Sequence, residues 1–376
     1  MPRYINNIHI NDLFHLHDFD IPVTDDAAPH LILTGKNGSG KSVTLNAIAD
    51  SLDTIKNGIT KSVTPLTGKV ELGFEDVTSV INGYNAGNFI IAFYQAARKP
   101  IISEPKSPTK PELTEKTASR KVLTDQLLNF LSDLKIQEAL ARNENQYADA
   151  DKIRTWFDNF EAILRSFFDD PQLELSFNYR DYTFHIASQG KTFKFTELSD
   201  GFSAVIDIVA DLILKMQEKD TLVMDYQKRG IVLIDEIETH LHLQLQKTVL
   251  PLLTELFPNI QFIVTTHSPF VLSSLPNATV FDMEHRETIV NLSEYSYQAL
   301  TEGYFGVSSE SDYAKARLAE LNDLLQQDNL DADEKQTARQ IIADFNKMPE
   351  AYAPALTGMF NQLCITFNDK IKSLHK

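Results

Sequence analysis

Apolar positions in the first hundred residues fall mostly in short runs. Tyr4 to Ile10 and Leu13 to Val23 carry strand character. Asn11-Asp12 between them has turn chemistry, so the spacing predicts a hairpin. Leu31 to Thr34 predicts a short apolar strand, and Val43 to Leu52 behind it predicts a helix. Asn57-Gly58 and Thr67-Gly68 punctuate the stretch that follows. Lys69 to Phe74 and Phe89 to Tyr94 predict two further strands. The second is apolar throughout, as a strand covered on both faces should be.

The pattern lapses between Pro100 and Arg120. Pro100, Pro105, Pro108 and Pro111 stand there among Lys, Ser and Thr, which predicts an exposed loop. Val122 to Ala141 and Ala148 to Phe168 then predict a helical hairpin. Leu127, Leu128, Leu131 and Leu134 mark one apolar stripe, and Ile153, Phe157, Phe160 and Leu164 another. Leu173 to Tyr179 and Tyr182 to Ile186 alternate as a strand pair, with a turn at Asn178 to Asp181. Phe202 to Met216 reads as a buried helix despite Asp207, Asp211 and Lys215. Gly230 to Ile234 is a continuous apolar strand, Leu243 to Phe257 a helix, and Gln261 to Pro269 a second buried strand ending in His267. That order predicts a parallel strand–helix–strand crossover. Tyr295 to Tyr304, Ser311–Gln327, Asp331–Met348 and Ala351–Leu374 predict an all-helical C-terminal segment.

Composition narrows the class. The chain has 376 residues, 43% of them hydrophobic, enough for one large α/β domain with additions. Its 35 Lys+Arg against 52 Asp+Glu give a net charge of −17, which disfavours broad nucleic-acid binding by the monomer surface. A local basic groove is still compatible with that charge. Cys364 stands alone, which excludes an internal disulfide and a Cys-based zinc site and fits a reducing cytosol. No leader pattern opens the chain and no run is long enough to span a bilayer, so a cytoplasmic location without membrane contact is expected.

Candidate chemistry gathers around Gly35-Lys36-Asn37-Gly38-Ser39-Gly40-Lys41-Ser42. The sequence satisfies the phosphate-loop pattern G-x-x-x-x-G-K-[ST], between a strand and a helix. Glycines let successive N–H groups turn inward around a phosphate, and the following helix adds its positive end. Gly35, Asn37, Gly38, Ser39, Gly40, Lys41, Ser42 and Val43 are the expected ATP-binding residues, with Lys41 on the β/γ-phosphates. The Ser42 hydroxyl is an expected Mg²⁺ ligand. In an α/β sheet, ligands bind at the carboxyl ends of the strands. Asp235 therefore predicts a second Mg²⁺ contact, and the adjacent Glu236 a general base for an attacking water. His267, at the end of its strand, predicts a neutral imidazole on the γ-phosphate or that water. Ser199 and Gly201 precede a helix, where they present a hydroxyl and N–H groups to an anion or form an ordinary N-cap.

Taken together these motifs resemble the ATP-binding-cassette-type ATPases. Gly35–Ser42 is similar to Walker A, Leu198–Gly201 to the signature, Asp235-Glu236 to Walker B and His267 to the switch histidine. Glu238-Thr239-His240-Leu241-His242 and Thr265-Thr266-His267-Ser268-Pro269-Phe270 are typical of the soluble branch. That branch includes the structural-maintenance-of-chromosomes, RecF and overcoming-lysogenization-defect ATPases. The signature lacks the common second Gly and Gln, and Ile237 and Leu243 stand where relatives often have Pro. The resemblance implies a P-loop α/β head that dimerises around ATP and Mg²⁺. It implies Ser199 and Gly201 acting in trans on the partner's ATP, and Gln95 as a Q-loop residue touching Mg²⁺.

The implied layout is an N-terminal lobe over 1–99, a loop and helical insertion over 100–170, a second lobe over 171–290 and a helical segment over 291–376. The insertion is too short for a long coiled-coil arm. No further carboxylate cluster follows His267, so no fused nuclease is expected. Ser293-Glu294-Tyr295-Ser296-Tyr297 and Glu302-Gly303-Tyr304-Phe305 look similar to the compact ATPases, the PtuA type, of Septu-like and retron-linked antiphage systems. That likeness implies a homodimer or higher homo-oligomer working with a separate HNH-type nuclease. The alternative it leaves open is a DNA-repair or recombination clamp that grips DNA itself.

Overall fold

The computed structural model describes residues 3–23, 28–56, 69–98, 102–105, 119–218, 222, 226–289, 292–304, 306, 310–327, 329–348 and 353–374. The chain divides into two compact units, Met1–Tyr295 and Ser296–Lys376. The expected turns at Asn57-Gly58 and Thr67-Gly68, and most of the expected loop at Pro100–Arg120, lie outside the described residues.

In the first unit, β1 (Ile5–Leu13) and β2 (Leu16–Pro22) form the expected hairpin. Its turn is not at Asn11-Asp12. Asp12 pairs with His17 and Leu13 with Leu16, so Phe14 and His15 make the turn, and Phe14 takes a left-handed φ of 59°. The apolar side chains decide this register: Ile8, Ile10, Leu13, Leu16 and Ile21 are all buried. Asn11 stays in the ladder and donates its side-chain amide to Glu71.

Strand β3 (His30–Thr34) leads through the glycine-rich loop into α1 (Lys41–Lys56). Then come β4 (Val70–Phe74), α2 (Val77–Asn85) and β5 (Phe89–Tyr94). The expected helical hairpin is α3 (Leu127–Asn143) and α4 (Tyr147–Phe168). Trp156 is fully buried there, edge-on to Phe130 and stacked on Phe160. β6 (Glu174–Asn178), β7 (Thr183–Ser188) and β8 (Lys191–Lys194) make a small antiparallel sheet. α5 (Asp200–Met216) follows; it is buried on all sides over Ala204–Met216, and its buried Lys215 and Asp211 pair with each other, Asp211 also accepting from the Tyr94 hydroxyl.

β9 (Arg229–Ile234), α6 (Leu243–Leu256) and β10 (Ile260–Thr265) form the expected parallel crossover. α7 (Pro269–Leu272), β11 (Ala278–Asp282) and β12 (Glu287–Ile289) complete the unit. The main sheet runs β12-β11-β3-β10-β9-β5, parallel except for the antiparallel edge strand β12. β1, β2 and β4 form a separate antiparallel sheet. Buried Gln261 ties the two sheets together. It accepts from the N–H groups of Tyr4 and Ile5 and donates to the carbonyls of Ile5 and Pro29, so a polar side chain in the core is fully satisfied.

The second unit is helical, with longer helices at Asp312–Gln326, Ala332–Asn346, Pro354–Thr366 and Asn368–Leu374. The single helix expected over Ala351–Leu374 is therefore two among the described residues. Leu321, Ala338, Ile341 and Phe360 lie in its core. Among the described residues, no helix is long and apolar enough to cross a membrane.

Candidate functional site

Parallel strands bring their carboxyl ends to one edge of the sheet, so β3, β9 and β10 deliver the loops that follow them to one place. After β3 the chain turns at Gly35, Gly38 and Gly40, all at positive φ. At Gly35 more than conformation is involved. A Cβ there would lie 2.9 Å from Ser39 Oγ and 3.2 Å from Asp282 Oδ1, so the loop closes only with glycine. Lys41 opens α1 and is 5% exposed. Its ammonium donates to the carbonyls of Gly35 at 2.8 Å and Lys36 at 3.0 Å, and approaches Ser39 Oγ at 3.4 Å. Burial pulls its pKa down, while Glu236, Glu238 and Asp235 oppose that shift.

After β9 the chain makes a tight carboxylate turn. Ser42 Oγ donates to Asp235 Oδ1 at 2.9 Å, and Thr265 Oγ1 donates to the same oxygen at 2.7 Å. Glu236 sits at a φ of 42°, a left-handed conformation that costs a non-glycine residue about 1–2 kcal/mol. Its N–H donates to Thr265 Oγ1, and Thr239 Oγ1 donates to its carboxylate. β10 ends at Thr265, so His267 lies just past the strand rather than in it. The His267 N–H donates to Glu238 Oε1 at 2.5 Å. Burial, with help from the Lys41 charge, holds the His267 imidazole below the usual histidine range, so it is neutral at neutral pH. Burial pushes the Glu238 carboxyl up.

A cavity of about 320 Å³ joins these parts. Asn37, Gly38, Gly40, Lys41, Ser42 and Val43 form one wall, with Glu236 and His267 opposite. Asp235, 6% exposed, is held against that wall through Ser42. Gly35 and Ser39 lie beneath it as partners of Lys41. Gly35, Ser39 and Asp235 thus reach the cavity only through Lys41 and Ser42, and the other three expected residues lie away from it. Gln95 is exposed and lines a neighbouring cleft with Arg98, Arg120 and Asp207. Ser199 is exposed at the start of α5 and makes no capping hydrogen bond. Gly201 is buried, because a Cβ there would lie 2.8 Å from the His240 carbonyl. Ser199 is thus the N-cap of α5 by position, its carbonyl accepting from the Ser203 N–H, while its hydroxyl takes no part in capping. Ser268, Ser296 and Ser311, at the corresponding positions of their helices, do accept a backbone N–H.

Four residues of the site escape sequence reading. Phe14 and His15 reach the cavity from the β1–β2 turn, and Phe14 is 76% exposed. Thr265 Oγ1 donates to the Asp235 carboxylate and accepts from the Glu236 N–H. Arg98 lies beneath that turn, donating to the carbonyls of Asp235, Glu236 and Ile237. Only an exposed aromatic inside a strand pattern hinted at Phe14; nothing in the local sequence marks Arg98.

The donor set suits Mg²⁺ bound together with a nucleotide. Among the described residues no group of three or more His, Cys, Asp or Glu side chains could hold a metal by itself. Mg²⁺ on phosphates needs only one or two protein oxygens, with waters and phosphates completing its shell. The paired Ser42 hydroxyl and Asp235 carboxylate would supply those oxygens.

The chain is 28% identical over 333 residues to the Septu protein PtuA of Bacillus mycoides (strain KBAB4), covering 81% of this chain and 45% of that protein. It is 33% identical over 117 residues to the retron Vc95 probable ATPase of Vibrio cholerae serotype O1 biovar El Tor, covering 31% of this chain and 21% of that protein. The chain thus spans less than half the length of these curated relatives. Among solved structures, the SMC head domain from Thermotoga maritima matches with a TM-score of 0.38 and 15% identity, covering 75% of this chain and 94% of that one. The profile of the AAA_21 family, described as AAA domain, putative AbiEii toxin, Type IV TA system, matches residues 31–273, and the chain belongs to that family.

Proposed function

We propose that this chain is an ABC-type ATPase that binds Mg·ATP, hydrolyses it and uses the cycle to control a separate effector. One observation carries the reading. Lys41, Ser42, Glu236 and His267 face one cavity, with Asp235 bonded to Ser42. In this reading the loop N–H groups and the α1 N-terminus bind the phosphates. Lys41 exchanges the carbonyls of its own loop for phosphate oxygens. Ser42 and Asp235 would hold Mg²⁺, whose charge would offset that of the phosphates. Glu236 accepts a proton from the attacking water, and neutral His267 offers that water or the γ-phosphate a hydrogen bond.

The exposed, uncapping Ser199 hydroxyl supports a further step, in which two copies close head to head. Ser199 and Gly201 of each would then meet the partner's ATP, and hydrolysis would loosen the pair. The resemblance to a Septu protein and a retron ATPase supports an antiphage role with a separate nuclease, of HNH type, as effector. Phage challenge of cells carrying the native operon tests this. Protection should be lost when Lys41→Ala is introduced. Protection that persists would remove the ATPase cycle from the defence reading.

A further inference from the structure

Arg98 lies just past β5 and is 7% exposed. Its side-chain hydrogen bonds to described residues go to main-chain carbonyls of the carboxylate turn. Nη1 donates to Asp235 O at 3.2 Å, and Nη2 donates to Glu236 O at 3.4 Å and Ile237 O at 3.3 Å. The N–H groups of the same three residues go elsewhere. Asp235 donates to Tyr94 O at 2.8 Å, Glu236 to Thr265 Oγ1 at 2.7 Å and Ile237 to Thr265 O at 3.1 Å. Every backbone group of these three residues thus has a partner: Arg98 meets all three carbonyls, and the Thr239 N–H also donates to Glu236 O at 2.9 Å.

This division matters because the turn's own bond, from the Thr239 N–H to Glu236 O, reaches one of the three carbonyls, whereas Arg98 reaches all of them. Glu236 is in the left-handed region, which a non-glycine residue adopts only when its surroundings impose it. The N–H groups are anchored to β5 and β10, elements fixed by the sheet. On the other side, one side chain does the equivalent work. A planar guanidinium with donors in a rigid fork can bridge three successive carbonyls; a lysine ammonium cannot match that geometry. The charge is balanced nearby by Asp207, Glu238, Asp235 and Glu236. Arg98 is absent from the walls of the phosphate cavity.

We infer that Arg98 is a positioning residue: it sets the direction in which Glu236 enters the cavity and keeps Asp235 against Ser42. This deepens the proposed hydrolysis and rests on Glu236 as its base. The test uses the full chain with Arg98→Lys, Arg98→Ala and, as reference, Glu236→Gln. ATP affinity should stay within about twofold of the parent in both Arg98 variants, because the lost contacts are not ground-state contacts to nucleotide. kcat should fall by about 100-fold in Arg98→Ala, the scale for a catalytic group displaced by about an ångström, and by less in Arg98→Lys. Added methylguanidinium should restore part of the Arg98→Ala turnover and none of the Glu236→Gln turnover.

A second readout does not depend on turnover. Hydrogen–deuterium exchange in the peptide spanning Asp235–Leu241 should quicken in Arg98→Lys, with β9 and β10 unchanged. Parental kcat in Arg98→Ala overturns the inference, as does parental kcat in Arg98→Lys if the alanine form does not fold. Unchanged exchange in that peptide also overturns it. Normal hydrolysis by Glu236→Gln would instead remove the base, and the exchange measurement would still decide the role of Arg98.

Discussion

Ser42 Oγ donates to Asp235 Oδ1 at 2.9 Å, joining residues 193 apart in sequence. The bond locks the first turn of α1 to the end of β9, across the intervening strand β10. A hydroxyl and a carboxylate in that pairing are already arranged to share one cation. Lys41 completes the arrangement by occupying the loop's own carbonyls.

Lys41→Ala should weaken ATP binding by about 100-fold, toward the upper scale for charge-assisted hydrogen bonds. The substitution removes both the charge on the phosphates and the bonds that brace the loop. Calorimetric titration measures it, and unchanged affinity would show that the loop is not a phosphate site.

Phe14 is the one large apolar side chain that stands exposed at the mouth of the cavity. Its ring offers a stacking face to a nucleotide base, worth about 1–3 kcal/mol. Phe14→Ala should therefore raise the ATP dissociation constant by about tenfold and leave kcat nearly unchanged. Equal affinities for ATP in the two proteins would dismiss the stacking role.

Much of this site was legible because its chemistry needs fixed residue types at fixed spacing. The phosphate loop, Asp235-Glu236 and His267 each follow closely on a strand buried on both faces, whose apolar run is unambiguous. Less was legible where tertiary contacts decide. β8 and β12 are only 4 and 3 residues long, and α2 is a helix of 9 residues that buries only Val80 and Gly83. Asn11-Asp12 has the composition of a turn, yet the buried Leu13–Leu16 pair moves the turn to Phe14. Gln95 follows the right strand but faces a different cleft. Arg98 is read only from the three carbonyls that converge on it.

Assembly is tested by mixing mutants. Ser199→Arg should leave ATP binding to the single chain nearly intact and depress turnover, because a bulky cation obstructs closure. If sites are shared, heterodimers of Ser199→Arg with Lys41→Ala hold one site with both defects and one with neither. Partial recovery of phosphate release on mixing is expected. Normal hydrolysis by Ser199→Arg alone would rule out a role in trans.

Stability should depend on pH through His30. It is buried at the start of β3, and burial lowers its pKa from 6.5 to about 4. Below pH 6.5 the unfolded chain binds a proton at His30 that the folded chain refuses. This contribution is fully present above that value and is lost as pH falls toward 4, amounting to about 3 kcal/mol in all. Denaturant midpoints of the parent and of His30→Asn, taken across this range, should diverge in slope. Identical slopes would contradict the assignment.

The most direct measurement is single-turnover hydrolysis by Glu236→Gln. The amide keeps the shape of the side chain and cannot accept the water's proton. ATP should still bind with parental affinity, turnover should fall by about 100- to 10,000-fold, and a closed dimer should accumulate with ATP and Mg²⁺. Hydrolysis at the parental rate would contradict the account, because the carboxylate beside Lys41 and His267 would then not be the base.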